Sequence, residues 1–434
     1  MTVADFDLSR ALDYLDEHAS YEKTGRIEAP SLEVITAYCD ALGDPQHAAP
    51  VIHVTGTNGK GSTVEMISRL IAASGLTVGT YTSPHLERIN ERIKRNGEAI
   101  SDDDLAEQIG AIAELEPLVG HRPSYFEIMT AAALRWFADI AVDVVVVEVG
   151  LLGRWDATNV VDAQVAVVTN IGMDHTEFAG PRLEDIALEK SGIVKPASAV
   201  LIGETRPELV EIFEAAGGAS TLVRGRDFGA DSNSLAVGGR MLDLRTPTTI
   251  YPDVYVPLHG AHQGENAAIA LAAVETFFAA PVSEEIVTEG FAEVSMPGRF
   301  EVLGHQPLTI VDGAHNPAGA DSCAHVFFDD FDPEGRRLLI VGSLREPGEL
   351  LAALRADEFD IVFAATAPSP RGVPAADIAA AATALGCDNV VAFDTVEAAC
   401  SRALDYADAD DAILAAGSLY TAGAARPALD RRSN

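Results

Sequence analysis

The stretch Val51 to Thr63, VIHVTGTNGKGST, constrains the fold more than any other part of the chain. A short β-branched run breaks into a glycine-rich turn with a single lysine, and Val64, Ile67, Leu70 and Ile71 then recur at helical spacing. A buried strand, a tight turn and a helix in that order aim backbone N–H groups, the helix dipole and an ammonium at one point. The chemistry that suits such a point is a phosphate. The spacing Gly56, Gly59, Lys60, Gly61, Ser62 departs from G-x-x-x-x-G-K-[ST]. Taken alone it leaves two readings, a nucleotide loop or a tight strand-to-helix connection.

What surrounds the loop favours the first. Two nearly continuous β-branched runs, Val142 to Val149 and Val165 to Ile171, read as parallel strands buried on both faces. They end in Glu148 of EVGLLGRWDATN and in Thr169, Asn170, Asp174 and His175 of TNIGMDH. Ligands of open α/β sheets lie beyond the carboxyl ends of the strands, so these residues are expected to converge on the loop. Helices are expected over 5–18, 31–42, 103–116, 124–140, 183–191 and 265–279, and a small antiparallel β element over 221–258. SMPGR then interrupts the pattern. Beyond it, strands at 308–312, 337–342, 359–365, 389–393 and 412–416 alternate with helices, which predicts a second doubly wound sheet. The fold class is therefore α/β, in two domains, 1–295 and 296–434.

Charge and residue usage narrow the function. The 434 residues carry 66 acidic against 30 basic side chains, a net charge of -36 that argues against nucleic acid as a partner. The lysines are Lys23, Lys60, Lys94, Lys190 and Lys195. Abundant acid with scarce lysine reads as a halophile's surface, kept hydrated in concentrated salt. A lysine that survives in such a chain is expected to have a task. Arg88, Arg92, Lys94 and Arg95 in HLERINERIKR form a basic segment that reads either as a charge-paired face or as an attractor for an anionic substrate. Cys39, Cys323, Cys387 and Cys400 are far apart, as expected of buried thiols. The start, MTVADFDLSR, lacks a signal-peptide pattern and no apolar run is long enough to span a bilayer, so a cytoplasmic protein without a membrane partner is expected.

The motifs HVTGTNGKGST, TSPHLERINERI, EVGLLGRWDATN, TNIGMDH, EKSGIVK, LHGAHQGENA, PGRFE and DGAHNP run in order from about residue 51 to 317. Together with Gly417-Ser418-Leu419-Tyr420 they resemble the folylpolyglutamate synthase and dihydrofolate synthase family, relatives of the Mur ligases. The resemblance implies a P-loop domain followed by a smaller Rossmann-like domain. It also implies a reaction in which ATP phosphorylates a carboxylate and the amine of L-glutamate displaces the phosphate. The acceptor would be dihydropteroate, a reduced folate, or both. Other Mur ligases typically carry an additional N-terminal domain, whereas here the loop begins at Val51.

Residue by residue, the resemblance assigns ATP to Gly56, Thr57, Asn58, Gly59, Lys60, Gly61, Ser62, Thr63, Asn266, Arg299 and Asp312. Magnesium, as two ions, falls to Ser83, Glu148 and His175, with Lys190 as a carbamylated lysine helping to carry the second. His315 lies near the reacting centre and the incoming glutamate. The pterin falls to Gly25, Arg26, Ile27, Ser124, Trp155 and Ala157. Two stretches depart from the family pattern: Gly150-Leu151-Leu152-Gly153 replaces G-x-G-G, and the turn from Tyr21 to Ile27 carries Thr24. Both touch the pterin side, so the acceptor stays open. A monomer that closes its domains over small-molecule substrates is expected. The competing readings are a Mur-type ligase acting on another carboxylate, a nucleotide-hydrolysing switch, and a non-catalytic folate binder.

Overall fold

Val51 to Thr55 and Val144 to Glu148 have no face that could meet water, and they sit at the centre of the first sheet, every residue buried. The computed structural model describes residues 6–25, 30–174 and 176–430. In chain order the first strands are β1 (Val51–Thr55), β2 (Val78–Tyr81), β3 (Ile93–Arg95), β4 (Glu98–Ala99), β5 (Val144–Glu148), β6 (Val165–Val168), β7 (Ala199–Ile202) and β8 (Ser220–Val223). Among the described residues they make one eight-stranded sheet, ordered β4-β3-β2-β5-β1-β6-β7-β8. From β2 to β8 all pairings are parallel, and only β3 and β4 run antiparallel at one edge. This register puts Val54 beside Glu148 and Thr55 beside Val168, so the polar ends of β5 and β6 flank the start of the glycine loop.

The helix Lys60–Ala73 follows the loop and buries Val64, Met66, Ile67, Leu70 and Ile71. Glu284–Ala292 packs on it so closely that a Cβ at Gly290 would lie 2.9 Å from Leu70 Cα. The small β element expected over 221–258 is a three-stranded sheet of β9 (Gly229–Ala236), β10 (Gly239–Arg245) and β11 (Ile250–Val256), ordered β11-β10-β9, whereas 221–223 belong to β8 and pair in parallel with β7 in the large sheet.

The chain divides into two compact units. The first comprises the described residues of Met1–Ala236 with Met241–Pro257 and Gln263–Val294; the second comprises Val237–Arg240, Leu258–His262 and the described residues of Ser295–Asn434. The second unit holds β12 (Glu301–His305), β13 (Leu308–Val311), β14 (Arg337–Val341), β15 (Ile361–Ala365), β16 (Val390–Phe393) and β17 (Ala412–Ala416), ordered β12-β13-β17-β14-β15-β16. Only β12 is antiparallel to its neighbour. β17 runs between β13 and β14, so the loops after these three strands share one end of the sheet. The four cysteines are free and buried.

Of the two readings of the basic segment, the structure favours the charge-paired face. Arg92 is fully buried and grips the Glu22 carboxylate with two bonds of 2.8 and 2.6 Å. Its Nε donates to His85 Nδ1 at 2.9 Å, and its guanidinium lies 5.3 Å from the Tyr125 ring centroid. Arg88 pairs with Asp102 and Lys94 with Glu65. Three of the four cations are therefore committed to carboxylates of this chain and are not an attractor for an anionic substrate. Glu22 is held well below the usual carboxylate range by Arg92, which outweighs the cost of its burial. Removing one partner of such a pair strands a buried charge, at a cost of about 3–5 kcal/mol. Glu22→Ala is accordingly expected to lower the free energy of unfolding by that amount in chemical denaturation; a loss under about 1 kcal/mol, typical of surface pairs, would show the pair to be superficial.

Candidate functional site

The loop between β1 and the helix Lys60–Ala73 has a shape that side chains would destroy. Gly56 has φ 146° and a Cβ there would strike the Thr169 hydroxyl; Gly59 has φ 80° and a Cβ there would strike Asn266 Oδ1. Asn266, held by Gln263 at 3.0 Å, thus lies directly against the loop. The loop is bolted to the end of β6. Thr57 N donates to Asn170 O and Asn58 N to Asn170 Oδ1, both at 2.9 Å, while Thr169 Oγ1 donates to Asn58 O at 2.6 Å. Thr57 Oγ1 accepts from Gly172 N at 2.9 Å and donates to Gly172 O at 3.2 Å.

Beyond this bolt the helix begins. Its first intrahelical bond is Thr63 N to Gly59 O at 2.9 Å, which leaves the N–H groups of Lys60, Gly61 and Ser62 without helical acceptors. These donors, the positive end of the dipole and the Lys60 ammonium, now 3.2 Å from Thr57 O, form an anion cradle. Thr63 Oγ1 is completely buried and has no hydrogen-bond partner among the described residues. An orphan hydroxyl at this point is chemically suited to a metal ion or a phosphate oxygen.

Two further groups close on the loop. Glu148, 6 % exposed at the end of β5, accepts from Ser83 N at 3.1 Å, which brings together two of the expected metal residues. Both offer hard oxygen atoms, the donor class that magnesium takes. Lys190, 4 % exposed at the end of the helix Leu183–Lys190, donates from Nζ to Gly56 O at 2.8 Å. Burial, helped by the positive charge of Lys60, lowers its pKa from 10.5 to about 7, against the pull of Asp174 and Asp156. The shift favours the neutral amine far more than in a lysine exposed to water.

The segment that carries Lys190 is locked to the WDATN turn. Arg154 N donates to Glu189 O at 2.9 Å, Asn159 Nδ2 donates to Arg154 O and Gly192 O, and Lys195 Nζ donates to Asn159 O at 3.1 Å. A Cβ at Gly153 would lie 2.9 Å from Glu189 O and Lys190 O, so that glycine is required. Leu152, where the family pattern has glycine, adopts φ 59° and carries strain of about 1–3 kcal/mol. Asp156 is buried and accepts from Leu151 N, Thr158 N and Thr158 Oγ1, with burial still pushing its carboxyl up. Because Thr158 gives its proton to Asp156, His53 Nε2 is the donor in its 2.9 Å bond to Thr158 Oγ1. Burial holds the His53 pKa down at about 3, so the ring is neutral.

Of the expected pterin residues, Trp155 is half-exposed, whereas Ala157 is buried. Ser124 caps the helix Tyr125–Asp139 in a reciprocal box with Glu127. Gly25 closes the short helix Tyr21–Thr24 with φ 66°. Arg26, Ile27 and His175 lie outside the described residues.

In the second unit, Asp312 follows β13, with Oδ2 accepting from Phe300 N and Oδ1 from Ala314 N, both at 2.7 Å. Burial pushes its carboxyl up even though Arg299 and both amides favour the anion. Arg299 lies between Gly298 at φ 72° and Phe300 at φ 42°. A Cβ at Gly313 would come 3.1 Å from Arg299 Nη1. His315 Nδ1 is 3.1 Å from Gly313 O and therefore carries the proton there. Ser418 caps the helix Leu419–Leu429 through Thr421.

The sequence and the fold are similar to those of known proteins. The family models for the Mur ligase middle domain and for the Mur ligase glutamate ligase domain match residues 54–274 and 298–419. The chain is 40% identical over 376 residues, 79% of this chain and 76% of the other, to a dihydrofolate synthase/folylpolyglutamate synthase of Mycobacterium tuberculosis. It superposes with a TM-score of 0.90, at 37% identity over 98% of both chains, on a Mycobacterium tuberculosis folylpolyglutamate synthase complexed with ADP and AMPPCP. A bifunctional folylpolyglutamate synthase/dihydrofolate synthase with Mn, AMPPNP and L-glutamate bound gives 0.84, at 31% identity over 98% of both.

The Lys190 amine supplies a pH test. Its folded value, about 7, lies below the ordinary 10.5, so between these limits the unfolded chain binds the extra proton and stability rises with pH. The contribution is lost as pH falls through 7. The stability of the wild type minus that of Lys190→Met is expected to climb across this window in matched denaturation series; a flat difference would show that the amine is not desolvated.

Proposed function

The chain belongs to the Mur ligase family, in its dihydrofolate synthase/folylpolyglutamate synthase group, and on that footing we propose how its own residues serve the ATP-dependent ligation of glutamate. ATP phosphorylates the acceptor carboxylate, and the amine of L-glutamate attacks the acyl phosphate, forming the amide and expelling phosphate. No side chain need act as nucleophile, so catalysis falls to positioning and to neutralising phosphate charge. The loop Gly56 to Thr63 holds the triphosphate, with the Lys60 ammonium on its outer phosphates. A divalent metal ion, when bound, neutralises phosphate charge; Ser83, Glu148 and Thr63 offer it oxygen, and His175 is retained as a further ligand, two ions in all. Asn266, Arg299 and Asp312 are retained for ATP and His315 for glutamate. Arg26, Ile27, Ser124, Trp155 and Ala157 are retained for the pterin, with Gly25 shaping its turn and the Trp155 indole its stacking face.

One observation carries the assignment of Lys190. Its amine is buried 2.8 Å from the loop carbonyl Gly56 with a pKa near 7, so an appreciable fraction is neutral under working conditions. A neutral amine adds to CO2, forming an N–C bond and releasing one proton, and the product is a carboxylate-like oxygen donor beside the loop. A merely structural helix-end lysine would keep its charge to complement the dipole. The acidic, lysine-poor composition supports residence in concentrated salt, with function as a monomer and without nucleic acid.

Glutamate incorporation in molar KCl is expected to require ATP, a divalent metal and a pteroate or folate together; phosphate release without glutamate and acceptor would instead mark a switch. Dihydropteroate and tetrahydrofolate, assayed separately, identify the acceptor. Lys190→Ala is expected to lower kcat by about a hundred-fold or more, and stripping bicarbonate from the wild type to lower its rate reversibly. Full activity in the variant would refute the role of Lys190. Arg299→Ala is expected to raise the KM for ATP with the fold intact, and an unchanged KM would remove Arg299 from the nucleotide.

A further inference from the structure

Glu204 and Arg206 stand outside every residue assigned above, yet they hold the peptide from which the loop is hung. After β7 the chain crosses close behind the end of β6: Gly203 N donates to Val168 O at 2.7 Å, and a Cβ at Gly203 would strike Thr169 O. This turn delivers Glu204 into the interior, where it is 5 % exposed. Its Oε1 accepts from Thr205 N, Arg206 N and Arg206 Nε at 2.8, 2.9 and 3.0 Å. Oε2 accepts from Arg206 Nη2 at 2.6 Å and from Ile171 N at 3.2 Å. Arg206 Nη2 donates in turn to Ile171 O. A single side-chain pair thus satisfies both backbone polar atoms of Ile171. So many donors push the Glu204 carboxyl down to about 2 despite its burial.

Ile171 is the pivot of the bolt described above. Asn170, on one side, takes the N–H groups of Thr57 and Asn58, and Gly172, on the other, exchanges two bonds with the Thr57 hydroxyl. Any shift of the Ile171 peptide therefore moves both attachments of the loop at once. An ion pair at a surface contributes little, about 0–1 kcal/mol, because water competes for it. Here the Arg206 side chain is 39 % exposed, but Glu204 is buried and the pair acts on the backbone groups of Ile171, itself 4 % exposed.

We propose that Glu204 and Arg206 are positioning residues for the nucleotide, a clamp on Ile171 that fixes the conformation of Thr57, Asn58 and Gly59. Neither residue touches the phosphates; both act through the strand-end peptide. The proposal rests on the reading of the loop as the ATP site.

The test measures AMPPNP binding at equilibrium, alongside thermal melting and KM values for ATP and glutamate, in the full chain. Glu204→Ala and Arg206→Ala are expected to weaken AMPPNP about ten- to a hundred-fold, the scale set by misplacing a binding group by an ångström. The KM for glutamate is expected to stay unchanged. The double variant is expected to be no weaker than either single one, since the pair works as a unit. Glu204→Gln keeps one acceptor oxygen, and so is expected to lose less; it carries the comparison if the alanine variant does not fold. Glu214→Gln, which removes the pair with Arg226, serves as a control with unchanged affinity. A lowered melting temperature with AMPPNP affinity equal to the wild type's would overturn the clamp, because a purely structural pair would behave in that way. A wild type that binds AMPPNP but never incorporates glutamate would overturn the ligase reading alone, and a wild type that binds no nucleotide would overturn both.

Discussion

The hydrogen bond from Lys190 Nζ to the Gly56 carbonyl ties together several distant parts of the first unit. It requires a buried lysine at the end of one helix, a glycine whose backbone can reach it, and a loop that stays put while both are in place. Each requirement is met from a different part of the chain. The helix is fixed by its interlock with the WDATN turn, where Gly153 and Gly192 allow two backbones to touch. The loop is fixed by the end of β6, and the end of β6 by Glu204 and Arg206 after β7. A cation this poorly hydrated costs stability, and the surrounding lattice of backbone hydrogen bonds offsets that cost.

Strand order explains why these groups meet. In the parallel sheet β5, β1, β6 and β7 are neighbours, so the segments that follow them, though separated by up to about 150 residues of sequence, emerge side by side. The chemistry is therefore distributed over strand ends: the loop after β1, Glu148 on β5, the TNIG turn after β6 and Glu204 after β7. The second unit repeats the arrangement on a smaller scale, with Asp312 after β13 and Ser418 after β17.

Much of this was legible in the sequence because it depends on local pattern. A β-branched run followed by glycines, one lysine and a helical apolar stripe yields β1 and its loop, and the same rule applied to the runs at Val142 and Val165 yields Glu148 and the TNIG turn. What escaped depends on contacts distant in sequence. Arg92 reads as part of a basic segment until it is found buried against Glu22, and nothing local encodes that partner. Glu204 was within reach of the strand-end rule, but its partner Ile171 lies 33 residues away and nothing local encodes that contact. Leu152 stands where a glycine would be unstrained, and only its backbone angle reveals that strain.

In the proposed ligation the phosphate held by the loop moves to a carboxylate, and the glutamate amine then attacks the acyl phosphate. Isotope transfer tests it most directly. With a pteroate whose carboxylate oxygens are heavy, together with unlabelled ATP and glutamate, the released inorganic phosphate is analysed by mass. Passage through an acyl phosphate predicts one heavy oxygen in the phosphate for every amide formed. Phosphate free of label, at an undiminished rate of amide formation, would contradict it.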